Sequence, residues 1–430
     1  MRPRRYQLNK QATAIVSGGH PWLFRDQLSS AASVLRDGDW LSLVDGANHV
    51  VGYGIFEATG AIAIRVLRRG PERPDAAWLR GQLAAAIARR AELAARTDGI
   101  RLVHGESDGL PAVVVDRFGD TLVATSYSAG ADALTRYAAR ALSGTLPIAS
   151  SDGAAAAGSD AALAAGSNDA AAAGIAHALL RPAHRRFASP PTSPSPTTPP
   201  AAPAAAPSPT PRTIRGAPPP IARFTEDGLP FAVDLAHGQK TGTYLDLRGL
   251  RRAVATAPLA GARVLNLFAY TGMLGRAAEA AGAAAIVQVD ASERALAFAA
   301  AHHATDPARH TFVTADVLAW LPAQPPSEGF DLVIVDPPSM TSRKAQVPAV
   351  LAAYRKLYRA AARQVRGGGA LVAACCTSRV ERAVFHQTVR EALGAAFTME
   401  RELPPEPDHP VGFREADYLK IAWWRRAPVL

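Results

Sequence analysis

From Gly261 onward, short apolar runs alternate with segments of helical composition. The runs are RVLNLF, AIVQVD, HTFVTAD, FDLVIVD and GALVAACC. Strands that are mainly apolar need cover on both faces, and this pattern is typical of a parallel sheet with helices on each side. The later run YLKIAWW is expected to add an antiparallel strand at the edge of the sheet. The C-terminal part is therefore predicted to be an α/β domain.

The composition changes abruptly at Gly144. From there to about Pro220 the sequence consists mainly of Ala, Gly, Ser and Pro, as in SDGAAAAGSDAALAAG and SPPTSPSPTTPPAAPAAAP. A segment with so few branched or aromatic side chains buries too little apolar surface to offset the entropy of ordering it. We therefore predict a disordered insertion over residues 144–220, with its Pro-rich half extended.

The N-terminal part shows a third pattern, with short β-branched runs between Gly and Asp turn signals. Residues 1–72 are predicted to form a small, mainly β module from LSLVDG, VVGYGIFE and AIAIRVLR. Residues 73–143 combine an amphipathic helix with a hairpin, in which RFGD joins AVVVD and TLVATS, and a second helix over 131–142. Together with residues 221–250 they form a predicted middle α+β region, which the α/β domain over 251–430 follows.

The chain is strongly basic, with 47 Lys and Arg against 37 Asp and Glu and a net charge of +10. This balance favours a polyanionic partner such as nucleic acid. RNA contact and a solvated surface both stay open for the cations of the β module, which are Arg2, Arg4, Arg5, Lys10, Arg25, Arg65, Arg68 and Arg69.

The two cysteines, Cys375 and Cys376, are adjacent, which disfavours an ordinary structural disulfide and fits a reducing compartment. The N-terminal MRPRRYQLNK precedes no apolar core of the signal-peptide type, and no window reaches about 18 uncharged apolar residues. We therefore expect a cytoplasmic protein that does not bind a membrane. The 11 His show no ligand spacing with Cys or paired acids, so no metal is expected.

Acidic residues follow several of the predicted parallel strands, at the edge where open sheets bind ligands. The first run ends in NLFAYTG, residues 266–272, which lacks the G-x-G-x-x-G of dinucleotide binders. The next runs end at Asp290, Asp316 and Asp336. Each acid taken singly is compatible with a helix cap or a solvated turn. Three of them at strand ends of one sheet favour a nucleoside cofactor without a phosphate chain.

Taken together, these motifs resemble those of the large-subunit ribosomal RNA cytosine-5 methyltransferases of the RlmI type. The resemblance is carried by NLFAYTG, DLVIVDPPSM and DHPVGFREADYLK, and upstream by RLVHGESDGLPAVVVDRFGD and GQKTGTYLDLRGLRR. It implies an N-terminal PUA-like, RNA-binding β barrel, a small α+β middle domain and a C-terminal Rossmann-like class I methyltransferase with a mainly parallel seven-stranded sheet. It also implies S-adenosyl-L-methionine as cofactor and large-subunit ribosomal RNA as partner. The oligomeric state stays open, a homodimer included.

The same resemblance implies which residues bind the cofactor. Asp316 would lie beside the adenine, and Thr241 of the QKTG segment would lie near the pocket. The remaining cofactor-binding residues would be Asn266, Phe268, Tyr270, Gly272 and Asp290.

Cys376 is the catalytic nucleophile that the resemblance implies. Carbon 5 of cytosine is a weak nucleophile, and a thiolate that adds to carbon 6 moves electron density onto carbon 5. A helix is expected to begin just after Cys376, where its N–H groups would lower the pKa of the thiol. Asp336 is expected to hydrogen-bond the base and stabilise charge as the adduct forms. Cys375 is expected to pack in the core, because neighbouring strand residues face opposite ways.

Two other functions stay open at this stage. A related ribosomal RNA methyltransferase that acts on guanine N7 shares the NLF-x-YTG and Asp-Pro-Pro patterns, and its reaction needs no cysteine. A non-catalytic RNA-binding assembly factor would keep the fold for its shape alone. The chain also departs from the family after Asp-Pro-Pro, where Ser339 and Met340 replace Lys and Phe. An aromatic residue that could stack on the target base is missing there.

Overall fold

The computed structural model describes residues 3–28, 34–144, 174–182, 211–325, 329–341 and 344–428. Most of the predicted insertion, residues 145–173 and 183–210, lies outside the described residues. The chain divides into two compact units. The first contains Met1–Phe224, Val233–Thr243 and Pro407–Phe413, and the second contains Thr225–Ala232, Tyr244–Glu406 and Arg414–Leu430.

The first unit begins with a five-stranded sheet in the order β1-β3-β4-β5-β2. Its strands are β1 Arg4–Gln7, β2 Trp22–Phe24, β3 Trp40–Val44, β4 Val50–Phe56 and β5 Ile62–Arg69. Helix α1 (Lys10–Ser17) is capped by Asn9, whose side chain accepts from the N–H of Ala12, and it buries Val16 in the core of this sheet. The three strands predicted from sequence are confirmed as β3, β4 and β5.

A second five-stranded sheet follows in the order β10-β9-β8-β7-β6. Its strands are β6 Gly99–His104, β7 Val113–Phe118, β8 Thr121–Ser126, β9 His177–Pro182 and β10 Arg212–Arg215. Helices α2 (Ala76–Ala88), α3 (Ala91–Ala94) and α4 (Asp132–Leu142) accompany it. The predicted hairpin is confirmed, because β7 and β8 pair antiparallel around RFGD.

The prediction of a disordered insertion over 144–220 was wrong for two short stretches. Strand β9 runs parallel to β8, and β10 pairs antiparallel with β9. Composition averaged over the whole insertion hid the local apolar run of β9, whose Leu179 and Leu180 are buried. Strand β10 ends the sheet and has a register shift between Thr213 and Arg215.

A buried charged network fixes the segment 407–413 within the first unit. Arg90 is 1% exposed and donates to the Asp108 carboxylate over 2.6 Å and to the Asp408 carbonyl over 3.2 Å. The Asp408 carboxylate accepts from the backbone N–H of Arg101 over 2.9 Å. This segment therefore leaves the domain predicted over residues 251–430.

The second unit contains the predicted α/β domain. Its strands are β13 Arg263–Leu267, β14 Ala285–Asp290, β15 His310–Thr314, β16 Phe330–Val335, β17 Val365–Cys375, β18 Phe397–Leu403 and β19 Lys420–Arg426. Its helices are α5 Arg248–Ala255, α6 Met273–Ala280, α7 Glu293–His302, α8 Val317–Ala323, α9 Val347–Ala362 and α10 Arg382–Leu393. A two-stranded hairpin precedes it, formed by β11 (Ile221–Glu226) and β12 (Leu229–Asp234).

The seven-stranded sheet has the order β15-β14-β13-β16-β17-β19-β18. Its first five strands are parallel, which confirms the predicted fold class. Alternate residues of each strand pack into cores on opposite faces, as Val333 and Ile334 do in β16. Within the described ranges, none of the helices is both long and apolar enough to cross a membrane.

The expected position of YLKIAWW at the edge of the sheet was wrong. Strand β19 is antiparallel as predicted, but it lies between β17 and β18. Its Trp423 and Trp424 are both buried, which an interior strand requires. The more polar β18, with the sequence FTMEREL, forms the edge instead.

Candidate active site

The strand order brings the predicted site residues of the second unit to one edge of the sheet. The carboxyl ends of β15, β14, β13, β16 and β17 lie side by side. In that order they carry Asp316, Asp290, the loop 268–272, Asp336 and Cys376. The direction of the connections reverses between β13 and β16. Open sheets bind ligands at such a switch point.

The loop 268–272 after β13 has an unusual backbone. Phe268 and Tyr270 have φ values of 58° and 48°, and Gly272 has a φ of 76°. A non-glycine residue in this region costs on the order of 1–3 kcal/mol and persists only where its surroundings hold it. The Asp290 carboxylate does so here by accepting from the N–H of Tyr270 over 2.8 Å. Strained backbone of this kind clusters at ligand sites, so we expect the loop to contact a ligand.

Asn266 lies beneath this loop. Its side chain is 0% exposed, and its amide donates to Gln288 over 3.3 Å. A Cβ at Gly272 would come within 2.6 Å of the Ala299 side chain and 3.0 Å of Gln288 Oε1, so only glycine fits above this layer. The Asn266 Oδ1 atom finds no hydrogen-bond partner among the described residues. We therefore expect Asn266 to support the loop, and a cofactor contact by its side chain stays a prediction.

Asp290 and Asp316 differ in how much of each carboxylate is already bound. Asp290 is half-buried, and its second oxygen accepts from the N–H of Ser292 over 2.8 Å. Each carboxylate oxygen has two acceptor sites, so both can still accept a ribose hydroxyl. Asp316 is exposed and caps α8 by accepting from the N–H of Leu318 over 3.0 Å. The helix-cap alternative therefore holds for Asp316, while its second oxygen is not used by the cap.

No metal cluster accompanies these acids. Over the described part of the chain, no three His, Cys, Asp or Glu side chains come together as metal ligands.

Thr241 belongs to the first unit, where its side chain is fully buried. Its hydroxyl donates to the Asp116 carboxylate over 2.5 Å. The backbone around it is also held, because Arg181 of β9 donates to the carbonyls of Gly238 and Lys240, each over 3.2 Å. The Thr241 side chain thus serves the first unit, and a cofactor contact by this segment stays a prediction.

Cys376 and Asp336 meet at the ends of two neighbouring parallel strands. Both side chains are half-buried, and the Cys376 thiol donates to the carbonyl of Pro337 over 3.6 Å. Cys375 faces the opposite way and is 0% exposed. The Tyr354 hydroxyl donates to its sulfur over 3.5 Å, and burial raises the pKa of Cys375. The predicted packing role of Cys375 is confirmed.

The helix predicted just after Cys376 begins later than expected. Helix α10 starts at Arg382, after an N-cap at Glu381. Thr377 explains the delay, because its hydroxyl donates to the Thr341 carbonyl over 3.1 Å and its own carbonyl accepts from Lys420 over 2.9 Å. These bonds hold a turn between the strand and the helix. The helix N–H groups therefore do not directly follow the thiol.

Tyr244 is a residue of this site that sequence reasoning missed. Its ring stands edge-on to Tyr270, with centroids 5.5 Å apart and an interplanar angle of 89°. Burial raises the pKa of the Tyr244 phenol, and negative charge on Tyr270, Asp246, Asp336 and Cys376 raises it further. The phenol is therefore protonated at neutral pH and near both the loop 268–272 and the Cys376 end. The segment GTYLD gave no signal of this role.

Two arginines of the predicted cationic face of the N-terminal module form ion pairs or hydrogen bonds within the first unit. Arg65 is buried and forms ion pairs with Glu57 and Glu106. Arg25 donates to the backbone carbonyls of Glu57 and Gly60. These arginines stabilise the module, so an RNA contact by them is not favoured. Arg2 lies outside the described residues.

Comparisons with known proteins assign both parts of the chain to families. Residues 206–417 match the S-adenosylmethionine-dependent methyltransferase family, and residues 7–69 match the PUA-like domain. A ribosomal RNA large subunit methyltransferase of Deinococcus radiodurans is 31% identical, over 97% of this chain and 96% of that protein. Ribosomal RNA large subunit methyltransferase I of Klebsiella pneumoniae is 28% identical, over 93% of each chain.

Two solved structures share the fold along nearly the whole chain. A putative S-adenosylmethionine-dependent methyltransferase from Streptococcus mutans has a TM-score of 0.72 at 18% identity, covering 98% of this chain and all of that one. A putative methyltransferase complexed with SAH has a TM-score of 0.73 at 19% identity, with the same coverage. At such identity the likeness concerns the fold alone.

Proposed function

This chain belongs to the family of S-adenosylmethionine-dependent large-subunit ribosomal RNA methyltransferases with a PUA-like domain, and from that premise we propose that it methylates carbon 5 of a cytosine in 23S ribosomal RNA. The cofactor is S-adenosyl-L-methionine. The observation that carries the cytosine proposal is the half-buried Cys376 thiol, 3.6 Å from the Pro337 carbonyl and beside Asp336 at the ligand edge of the sheet. Methylation at guanine N7 would not need such a thiol.

The residues at the end of β14 fit a nucleoside cofactor. Asp290 keeps acceptor sites on both oxygens for the ribose hydroxyls, while its hydrogen bond to Tyr270 holds the loop 268–272 in place. Asp316 has an exposed carboxylate one strand further along, where we propose that it meets the adenine. S-adenosyl-L-methionine, when bound, supplies an electrophilic methyl group.

The Cys376 thiolate is the proposed nucleophile. Once its proton has passed to water, the thiolate would add to carbon 6 of cytosine, and the electron pair of the carbon 5–carbon 6 double bond would form the new bond from carbon 5 to the methyl group. The bond from that methyl group to the sulfonium would break at the same time, with S-adenosylhomocysteine as the leaving group. A water molecule or a carboxylate then removes the carbon 5 proton. The double bond re-forms as the sulfur leaves, which regenerates the thiolate. Asp336 would hydrogen-bond the amino group or the ring nitrogen and stabilise charge on the ring.

Tyr244 supports binding of the base. The family's aromatic residue after Asp-Pro-Pro is absent, since Ser339 and Met340 stand there. The half-buried ring of Tyr244 lies near Asp336 and Cys376 and offers an aromatic surface for a pyrimidine. We propose that it takes over this contact.

Replacement of each cysteine tests the proposal. Cys376→Ser should abolish methyl transfer to large-subunit ribosomal RNA, whereas the matched variant Cys375→Ser should retain most activity because its thiol only packs. RNA that contains 5-fluorocytidine should form a covalent complex with the unmodified protein, since no carbon 5 proton can leave. Cys376→Ser should form none. Substantial transfer by Cys376→Ser, with methylated guanine in the product, would refute the cytosine proposal in favour of N7.

A further inference from the structure

Lys420 is a buried lysine at the strand end that bears the cysteines. It is 1% exposed, and its ammonium donates to the carbonyls of Thr377 over 2.9 Å and Tyr418 over 3.3 Å. In the sheet it pairs directly with Cys375, and Thr377 is the residue after Cys376. An ammonium removed from water is costly unless an anion compensates its charge, and the two carbonyls are neutral.

Several groups around Lys420 can carry negative charge, and they differ in how readily each does so. Burial lowers the pKa of Lys420, whereas negative charge on Cys375, Asp417 and Cys376 raises it, and Arg382 lowers it. The Asp417 carboxylate accepts a hydrogen bond from the Arg382 guanidinium. Burial keeps Cys375 protonated by raising its pKa. Of the two thiols, Cys376 is therefore the one better able to carry negative charge near this ammonium.

Two groups close to Cys376 do not favour its ionisation. The Pro337 carbonyl accepts from the protonated thiol, which stabilises the neutral form. Asp336 is an acidic residue at the neighbouring strand end, and a negative charge there would disfavour a second negative charge on the thiol. The N-terminus of α10, expected from sequence to assist, begins only at Arg382.

We propose that Lys420 is the positioning residue for Cys376. The hydrogen bond from Lys420 fixes the Thr377 turn, and the buried positive charge of Lys420 favours the ionised thiol of Cys376. The ammonium holds the turn through the Thr377 carbonyl, so the hydrogen bond and the charge act at the same point of the chain. This inference rests on the proposed function, but it concerns the thiol itself and can be measured without RNA or cofactor.

The test is the pH profile of Cys376 alkylation by iodoacetamide in the full chain, with Cys375→Ser so that one thiol remains. The midpoint of the profile should lie below about 8.5, the value of an unperturbed thiol. Lys420→Gln keeps a donor but removes the charge, and it should raise the midpoint by about one unit, so that alkylation near neutral pH slows about tenfold. In Lys420→Arg, which keeps the charge, the rate of alkylation near neutral pH should stay within about threefold of the rate in the protein with Lys420. Lys356→Met, at an exposed lysine of α9, is the matched control and should change nothing.

Two results would overturn the inference. The first is an alkylation midpoint at or above that of an unperturbed thiol in the protein with Lys420 intact; this measurement does not depend on whether a Lys420 variant folds. The second is a pH profile of alkylation that does not change in Lys420→Gln, provided that this variant still binds S-adenosylhomocysteine. The proposed function is judged separately, because a Lys420-dependent midpoint combined with undiminished transfer by Cys376→Ser would keep this inference and refute the cysteine adduct.

Discussion

Protonation of His303 should destabilise the second unit. This side chain is fully buried, with Ala232 of β12 on one side and Thr271 of the loop after β13 on the other. Its Nε2 accepts from the N–H of Ala232 over 3.0 Å, and its Nδ1 donates to the carbonyl of Thr271 over 2.5 Å. These partners assign the neutral tautomer with hydrogen on Nδ1. A second proton on Nε2 would face the Ala232 donor, and burial lowers the pKa of His303 to about 4.

The size of the effect follows from this pKa. The unfolded chain takes up the proton near pH 6.5 and the folded chain only near pH 4, so the unfolded state binds more protons in between. The stabilisation is therefore fully present above pH 6.5 and is lost as the pH falls towards 4. Each pKa unit corresponds to about 1.4 kcal/mol, so the loss is about 3 kcal/mol in the free energy of unfolding.

Urea unfolding of the unmodified protein and of His303→Gln, between pH 7 and pH 4, measures this loss. Glutamine does not titrate, so the unmodified protein should lose its advantage over the variant by about 3 kcal/mol across the range. His310 and His386, whose pKa values burial also lowers, titrate in both proteins and cancel in the difference. A difference in stability that stays constant from pH 7 to pH 4 would refute the assignment.

Three further outcomes are expected. Asp290→Asn should weaken S-adenosylhomocysteine binding at least tenfold in titration calorimetry, because the amide keeps only one acceptor oxygen for Tyr270, Ser292 and the ribose hydroxyls; unchanged affinity would exclude the proposed ribose contact. Asp108→Asn should lower the free energy of unfolding by about 3–5 kcal/mol, because Arg90 stays buried without its carboxylate; a loss under 1 kcal/mol in urea titration would contradict this. Deletion of 145–173 or of 183–210 should leave methyl transfer intact in a radiolabel assay, and loss of activity would show that these residues take part.

Most of the α/β domain could be predicted because each of its parallel strands corresponds to a short, continuous apolar segment of the sequence. The position of each run's last residue also located the acids at one edge, since parallel strands share a carboxyl end. The place of β19 inside the sheet depends on the partner strand β18, which no local pattern reveals. Strand β9 was missed for the opposite reason, since an average over its surroundings concealed HALLRP.

The candidate site was predictable at the level of the strand ends and not at the level of side-chain partners. Cys376 and Asp336 follow apolar runs directly, so their edge position is a matter of register. Lys420 belongs to a run that predicts only a strand, and its burial under Thr377 arises from the pairing of β19 with β17. Tyr244 comes close to Asp336 only through the tertiary fold, and the sequence around it carries no periodic signal.

The form of β10 bears on how copies of this protein behave at high concentration. An outermost strand presents unpaired N–H and C=O groups, to which a strand of another molecule can add and begin aggregation. β10 is only four residues long, carries Arg212 and Arg215, and is kinked by its register shift. A short, charged and irregular template of this kind repels a second copy. Strand β10, which lies between residues 183–210 and the β11–β12 hairpin, is therefore expected to disfavour self-association through this edge of the sheet.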